Sequence, residues 1–185
     1  MRHGLLLALA LLAAGVGPCL ADDVPPPPAG AGQPRSLSPQ DMLKGTRDQM
    51  EALATHLTRD GGSAEEWLLL ARSYLQFQEF AKARDAATHA VAARPKDVEP
   101  RLVLAEAQMG GVSHAARLPV DFVATMREIL DMAPDNPSAL YYVGMAESEA
   151  GHPERTRQLW GHLLEVLPKD DPRRDDLARR LSALP

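Results

Sequence analysis

A repeat of 34 residues is the feature that most constrains how this 185-residue chain can fold. Within residues 64–97, apolar or small side chains recur three or four residues apart in two runs, and a proline ends the second run. Such spacings place side chains on one face of a helix, so the two runs predict a pair of amphipathic helices. Positions 4, 7, 8, 11, 20, 24, 27 and 32 of the unit carry the pattern and hold Trp67, Leu70, Ala71, Tyr74, Ala83, Ala87, Ala90 and Pro95.

Two further units follow, over residues 98–136 and 137–170. In the unit that starts at Pro137, the same positions hold Leu140, Val143, Gly144, Glu147, Thr156, Trp160, Leu163 and Pro168. The middle unit is five residues longer, and the excess lies around residues 110–114, between its two helices. Helical hairpins in series at this period resemble tetratricopeptide repeats (TPR), which stack into a solenoid. An unrelated helical bundle is the alternative, and the agreement of two units in phase argues against it.

Composition supports an all-α fold. Aromatic residues make up only 4% of the chain, and a large sheet needs aromatic and β-branched side chains. Segments at both ends of the array are expected to be capping helices, because each repeat buries its apolar face only against a neighbour. The apolar stripe through residues 42–57 predicts the first, and the charged segment 172–184 predicts the second. The net charge of −5 argues against a nucleic-acid partner.

Residues 1–21 have the layout of a secretory signal peptide, with Arg2 before a short apolar run and small residues up to Ala21. A membrane anchor is the alternative, but the run is shorter than the roughly 20 residues that span a bilayer. A lipid-modified Cys19 is a further alternative, which Pro18 disfavours. Residues 22–40 contain six prolines and predict an extended linker. We therefore expect a periplasmic protein whose TPR domain covers residues 41–185.

Two segments resemble a known family: EEWLLLARSYLQFQEFAKARDAATHAVAARPKDVEPRLVLAEAQ and, with its lengthened loop, GGVSHAARLPVDFVATMREILDMAPDNPSALYYVGM. They are similar to the periplasmic TPR domain of the cytochrome c maturation factor CcmI (CycH) and of the related nitrite-reductase assembly subunit NrfG. The resemblance covers residues 38–184. It implies a chaperone that holds the C-terminal helix of apocytochrome c in its groove and presents it to a haem lyase complex. CcmI has two membrane helices ahead of this domain, where this chain has a signal peptide and a linker.

The resemblance to TPR proteins also implies where a ligand binds. The first helix of each repeat lines the concave face, chiefly through positions 2, 5, 9, 12 and 13. An apolar strip with a charged border suits an amphipathic helix laid in a groove. The alternative is that these side chains cover helix ends or contact the capping helices. The candidate peptide-binding residues are Leu68, Arg72, Leu75, Leu102, Glu106, Met109, Tyr141, Met145 and Ser148.

Packing, and not ligand binding, is expected of the large aromatic side chains at repeat positions. They occupy the positions that hold paired helices together in each unit, where burial is the common outcome. These residues are Trp67, Tyr74, Phe122 and Trp160.

No constellation for catalysis or metal binding stands out in the sequence. It has no HExxH motif, no CxxCH haem site and no phosphate-binding loop, and signal cleavage removes its single cysteine. We expect no enzyme activity and no cofactor, and only His114, in the long loop, is a minor candidate for contact with haem or a partner. Two other functions stay open: a generic periplasmic TPR scaffold for envelope or secretion complexes, and an enzyme subunit that is inactive alone.

Overall fold

A computed structural model describes residues 38–112 and 117–185, and every regular element in them is an α-helix. This confirms the expected all-α class. The eight helices of the described residues are α1 Pro39–Asp60, α2 Ala64–Gln76, α3 Phe80–Ala93, α4 Val98–Met109, α5 Val120–Met132, α6 Pro137–Glu149, α7 Pro153–Val166 and α8 Arg173–Ser182.

The chain divides into two units, residues 1–38 and residues 39–185. All eight helices belong to the second unit. The predicted signal peptide and residues 22–37 of the predicted linker lie outside the described residues. The last residues assigned to that linker, Pro39 and Gln40, form the first turn of α1.

Three helix pairs follow one another in the second unit: α2 with α3, α4 with α5, and α6 with α7. Successive pairs also pack together, because α3 contacts α4 and α5 contacts α6. Residues 77–79 and 150–152 form the short turns of the outer pairs, whereas the middle turn spans residues 110–119. Residues 113–116 of that turn, including His114, lie outside the described residues.

The first hairpin closes through alanine side chains. Their methyl groups allow the two helices to approach closely, and the spacings of four and three on α3 place its alanines on one face. Trp67 and Tyr74 are buried in the same cluster, as the sequence predicts. The alanines, each 0% exposed, are Ala71 on α2 and Ala83, Ala87 and Ala90 on α3.

The third hairpin closes over a glycine. A Cβ atom added to Gly144 on α6 would collide with the indole ring of Trp160 on α7. The Trp160 Nε1–H donates a hydrogen bond to the Tyr141 carbonyl at 3.1 Å, so the ring is held across the helix that carries Gly144. The Thr156 hydroxyl, which is fully buried, donates to the His152 carbonyl at 3.0 Å. The absence of a side chain at Gly144 therefore sets the distance between α6 and α7.

Two hydrophobic cores meet in α4. Val103 and Ala107 lie four residues apart on one face of α4 and join the core formed with α1, α2 and α3. Leu102, Ala105 and Met109, at spacings of three and four, contact the core formed with α5, α6, α7 and α8. We call α4 the seam helix, because it contributes side chains to both cores.

At the N-terminal end, only the second half of α1 contributes buried side chains to the first core. Met50 and Leu57 are buried in the first core. Met42 is 52% exposed and Leu43 is 51% exposed, so the apolar stripe predicted from residue 42 onward is buried only in part.

At the C-terminal end, α8 is anchored by two leucines, Leu177 and Leu181, and by one arginine. Leu177 is buried in the second core. The Arg174 Nη1 group donates to the carbonyl oxygens of Leu164 at 2.5 Å and Leu167 at 2.9 Å. These carbonyls lie at the end of α7, where the helix itself supplies no N–H partners. Helix α8 thus covers the open end of the array.

Ion pairs link neighbouring helices at the surface. His162 on α7 contacts Asp135, the residue before the N-cap Asn136 of α6, with 2.7 Å between its Nε2 and the carboxylate. The hydrogen bond to Asp135 raises the pKa of His162, and Glu165 adds to the effect. This contact therefore links α7 to the start of α6.

Gly144→Ala is expected to destabilise the protein, because the added methyl group would force Trp160 away from α6. We expect a loss of about 1–3 kcal/mol in the free energy of unfolding, as for other overpacked cores. The matched control is Gly161→Ala on α7, where a Cβ would meet nothing within 4 Å. There the better helix propensity of alanine should add up to about 1 kcal/mol. Urea unfolding followed by circular dichroism measures both, and an equal response of the two variants would contradict the close packing at Gly144.

Asp135→Asn is expected to lower the pKa of His162, because it removes the main cause of the increase. A raised pKa in the folded state means that the pair stabilises the fold below the ordinary value of 6.5. This contribution is lost as the pH rises through the pKa of the folded protein. An NMR titration of the histidine ring measures the shift, with Glu165→Gln as the matched variant of smaller effect. An unchanged pKa in Asp135→Asn would refute the assignment.

Candidate peptide-binding groove

A cavity of about 530 Å³ lies where the first two hairpins meet α6. Its wall comes from the end of α2, the start of α3, the end of the seam helix α4, the following loop and one side chain of α6. The side chains in this wall are apolar apart from one carboxylate and one tyrosine hydroxyl. The lining residues are Leu75, Phe80, Glu106, Met109, Gly110, Val112 and Tyr142.

The seam helix shapes the centre of this cavity. Glu106 and Met109 are three residues apart, so they project from one face of α4 about one turn from each other. Gly110 follows as the C-cap residue, and a Cβ atom there would overlap the ring of Phe80. The missing side chain lets Phe80 lie directly against the end of α4. The aromatic wall thus depends on glycine at this position.

Three of the nine predicted groove residues line this cavity together: Leu75, Glu106 and Met109. They occupy positions 12, 9 and 12 of their repeats. Leu75 comes from the first repeat and the other two from the second, so the stacking of hairpins brings them together. The structure therefore unites side chains that are 31–34 residues apart in the sequence.

A second cavity of about 490 Å³ holds another predicted residue, Tyr141. This cavity lies between α6, the end of α7 and the capping helix α8. Tyr142 borders both cavities, and its ring meets that of Tyr141 edge-on with 5.2 Å between the ring centroids. Tyr142 is therefore shared by the two cavities. The remaining lining residues are Pro137, Ser138, Leu163, Leu167, Pro172, Arg173, Asp176 and Leu177.

Leu68 does not line an open face. It is only 4% exposed and belongs to the first core. The physical reason is that α2 packs against α1, α3 and α4 at once, which leaves it a narrow exposed face. Its neighbour Leu69, at position 6 of the repeat, is 60% exposed.

The other predicted residues lie outside both cavities. Leu102 and Met145 are half-buried and pack against the second core. Ser148 is half-buried near the end of α6. The guanidinium group of Arg72 is engaged by Glu99, with 2.6 Å between the Nη2 and the carboxylate oxygen. Arg72 thus links α2 to α4 as an ion pair at the surface.

Three residues that line the first cavity lie outside the predicted groove positions: Phe80, Val112 and Tyr142. Phe80 begins α3, and the repeat rule assigns ligand contacts to the first helix of each pair. Tyr142 stands at position 6, beside the predicted position 5. Leu69 also stands at position 6, so a large apolar or aromatic side chain at this position in both outer repeats is the sequence signal that could have found Tyr142.

Arg127 and His152 both contact the carboxylate of Glu147 on α6. The distances are 2.9 Å to Arg127 and 2.8 Å to the His152 Nδ1, and the Glu147 side chain is 15% exposed. The hydrogen bond with His152, followed by that with Arg127, lowers the pKa of Glu147 below its ordinary value. This carboxylate is therefore neutralised by its own neighbours.

Within residues 38–112 and 117–185, no three or more His, Cys, Asp or Glu side chains cluster as a metal site would require. None of the helices in these ranges is both long and apolar enough to cross a bilayer.

Helical hairpins that stack in series, with a cavity between successive hairpins, are the architecture of a TPR protein. Two crystal structures of MamA share this fold. One aligns with a TM-score of 0.52 at 13% identity over 79% of this chain and 92% of that one. The other aligns with a TM-score of 0.53 at 14% identity over 77% of this chain and 83% of that one. At this identity the likeness concerns the fold alone, and it agrees with the predicted helical-hairpin solenoid.

The chain belongs to the family described as "Cytochrome c-type biogenesis protein H TPR domain", whose model matches residues 31–174. This membership confirms the resemblance found in the sequence and indicates a role in c-type cytochrome biogenesis, exercised through protein–protein contacts. A comparison with curated proteins found no match.

Leu68 and Leu75 should respond differently to truncation, because one is a core residue and the other lines the cavity. Leu68→Ala is expected to cost about 2–5 kcal/mol in the free energy of unfolding, as for other buried leucines. Leu75→Ala should cost less, since its half-buried side chain already contacts open space. Urea unfolding of both variants measures the difference. Equal losses would show that Leu75 is a core residue and does not belong to the groove.

Proposed function

We propose that this protein is a periplasmic chaperone of c-type cytochrome biogenesis. It holds the C-terminal helix of apocytochrome c in its groove and presents it to a haem lyase complex. The observation that carries the proposal is the apolar cavity at the seam helix, in a chain that belongs to this biogenesis family. Its central contacts are Leu75, Met109 and Tyr142.

The chemistry of the cavity supports an amphipathic helix as the ligand. Such helices insert apolar side chains at spacings of three and four into a groove. Met109 has a flexible, polarisable side chain that adapts to different partners. The adjoining cavity at Tyr141 extends the apolar surface towards α8. A groove of this kind gives micromolar affinity, about −8 kcal/mol.

The proposal includes the route by which the domain reaches its partner. Residues 1–21 are removed as a signal peptide on export, which leaves the proline-rich residues 22–38 as a segment ahead of α1, the helix that begins at Pro39. A proline-rich segment stays extended and does not collapse onto a folded domain. Contact with the lyase complex then relies on the surface of the TPR domain.

Met109→Glu is expected to weaken binding of the apocytochrome c C-terminal peptide at least about ten-fold, because it places a charge in an apolar contact. The control is Val120→Glu, an equal change at an apolar side chain that is 87% exposed and lines neither cavity. Calorimetric titration of the protein, as purified from its host, with the peptide, with whole apocytochrome c and with holocytochrome c measures the affinities.

The outcomes separate the candidate functions. Binding to the apo form and the peptide, with little to the holo form, supports the chaperone. A generic envelope scaffold ignores all three ligands, and that result would refute the proposal. Circular dichroism of each variant ensures that loss of binding does not reflect loss of fold.

A further inference from the structure

We propose that the cavity selects helices by charge as well as by apolar contact. The partner that fits carries one large apolar side chain and, one helical turn away, a lysine or arginine that pairs with Glu106. This inference rests on the proposed function, since it assigns a recognition rule to the same groove.

Glu106 stands apart from the other glutamates of the described chain. Each of the others makes an ion pair or a side-chain hydrogen bond, and Glu106 makes neither. The partnered glutamates are Glu51, Glu65, Glu66, Glu79, Glu99, Glu128, Glu147, Glu149, Glu154 and Glu165. An exposed carboxylate without a partner at the wall of an apolar cavity is open to a cation from another molecule.

The surroundings of Glu106 favour a cation over an anion. Arg72, the basic residue among the predicted groove residues, is engaged by Glu99 of the chain itself. No lysine or arginine is among the described residues that line the cavity. Glu106 would repel an acidic side chain of a partner, because like charges in contact are repulsive and no basic side chain of the cavity offsets this repulsion.

The spacing on the seam helix fixes the spacing in the partner. Glu106 and Met109 are one turn apart, and side chains in that relation have Cβ atoms about 5–6 Å apart. A partner helix presents side chains at the same distance when they are three or four residues apart. An apolar side chain against Met109, Phe80 and Tyr142 therefore places a basic side chain of the next turn beside Glu106.

The test uses two designed helical peptides unrelated to cytochromes. Both carry the same apolar residues, and they differ in having lysine or glutamate one turn from the apolar anchor. Fluorescence anisotropy measures their binding to the wild-type protein and to Glu106→Gln and Glu106→Lys. We expect the lysine peptide to bind better, to lose about three-fold with Glu106→Gln and about ten-fold with Glu106→Lys. Glu106→Lys should in turn bind the glutamate peptide better than the wild-type protein does.

Asp131→Lys is the control, because Asp131 is an exposed carboxylate on α5 that lines neither cavity. It should leave both affinities unchanged. Equal binding of the two peptides, no response to Glu106→Lys, or no binding of either peptide would overturn the inference.

Titration with the apocytochrome c peptide distinguishes this failure from failure of the proposed function. Binding of that peptide without any effect of the Glu106 variants refutes the recognition rule alone. Charge-dependent binding of the designed helices without binding of the cytochrome peptide refutes the proposed ligand and leaves the rule standing.

Discussion

The double role of α4 is the constraint on which the rest of the molecule depends. Val103 and Ala107 on one face and Ala105 on the other belong to two separate cores. A helix buried on both sides has little freedom to shift, because any rotation that improves one contact worsens the other. The positions of both outer hairpins, and of the cavity between them, follow from this one helix.

The repeat pattern predicted most of the fold, because its signal is local. Residues such as Trp67, Gly144 and Trp160 indicate which face of a helix packs against the other helix of the same hairpin. The long middle turn was also visible, since proline marks the end of each unit. The sequence did not predict that α1 packs only in part. Met42 and Met50 belong to the same apolar stripe, but only Met50 is buried in the first core.

The groove was predicted in part, for a different physical reason. Leu75, Glu106 and Met109 follow from the repeat positions, because all hairpins stack in the same sense. Leu68 occupies another of the predicted groove positions, yet the contacts of α2 with three other helices cover it. Phe80 depends on the close approach that Gly110 permits. Such contacts arise between elements, and the period of the repeat carries no information about them.

The position of the cavity determines how a ligand bound there would affect the stability of the domain. Leu75 packs with the first core, whereas Met109 and Tyr142 pack with the second, so the wall is shared between the two halves of the domain. The two halves contact each other chiefly through α4. Under the proposed function, a ligand that contacts both parts of the wall would add contacts between the two halves. A helix bound in this way would therefore stabilise both halves of the domain together, by an amount that follows from its concentration and its affinity.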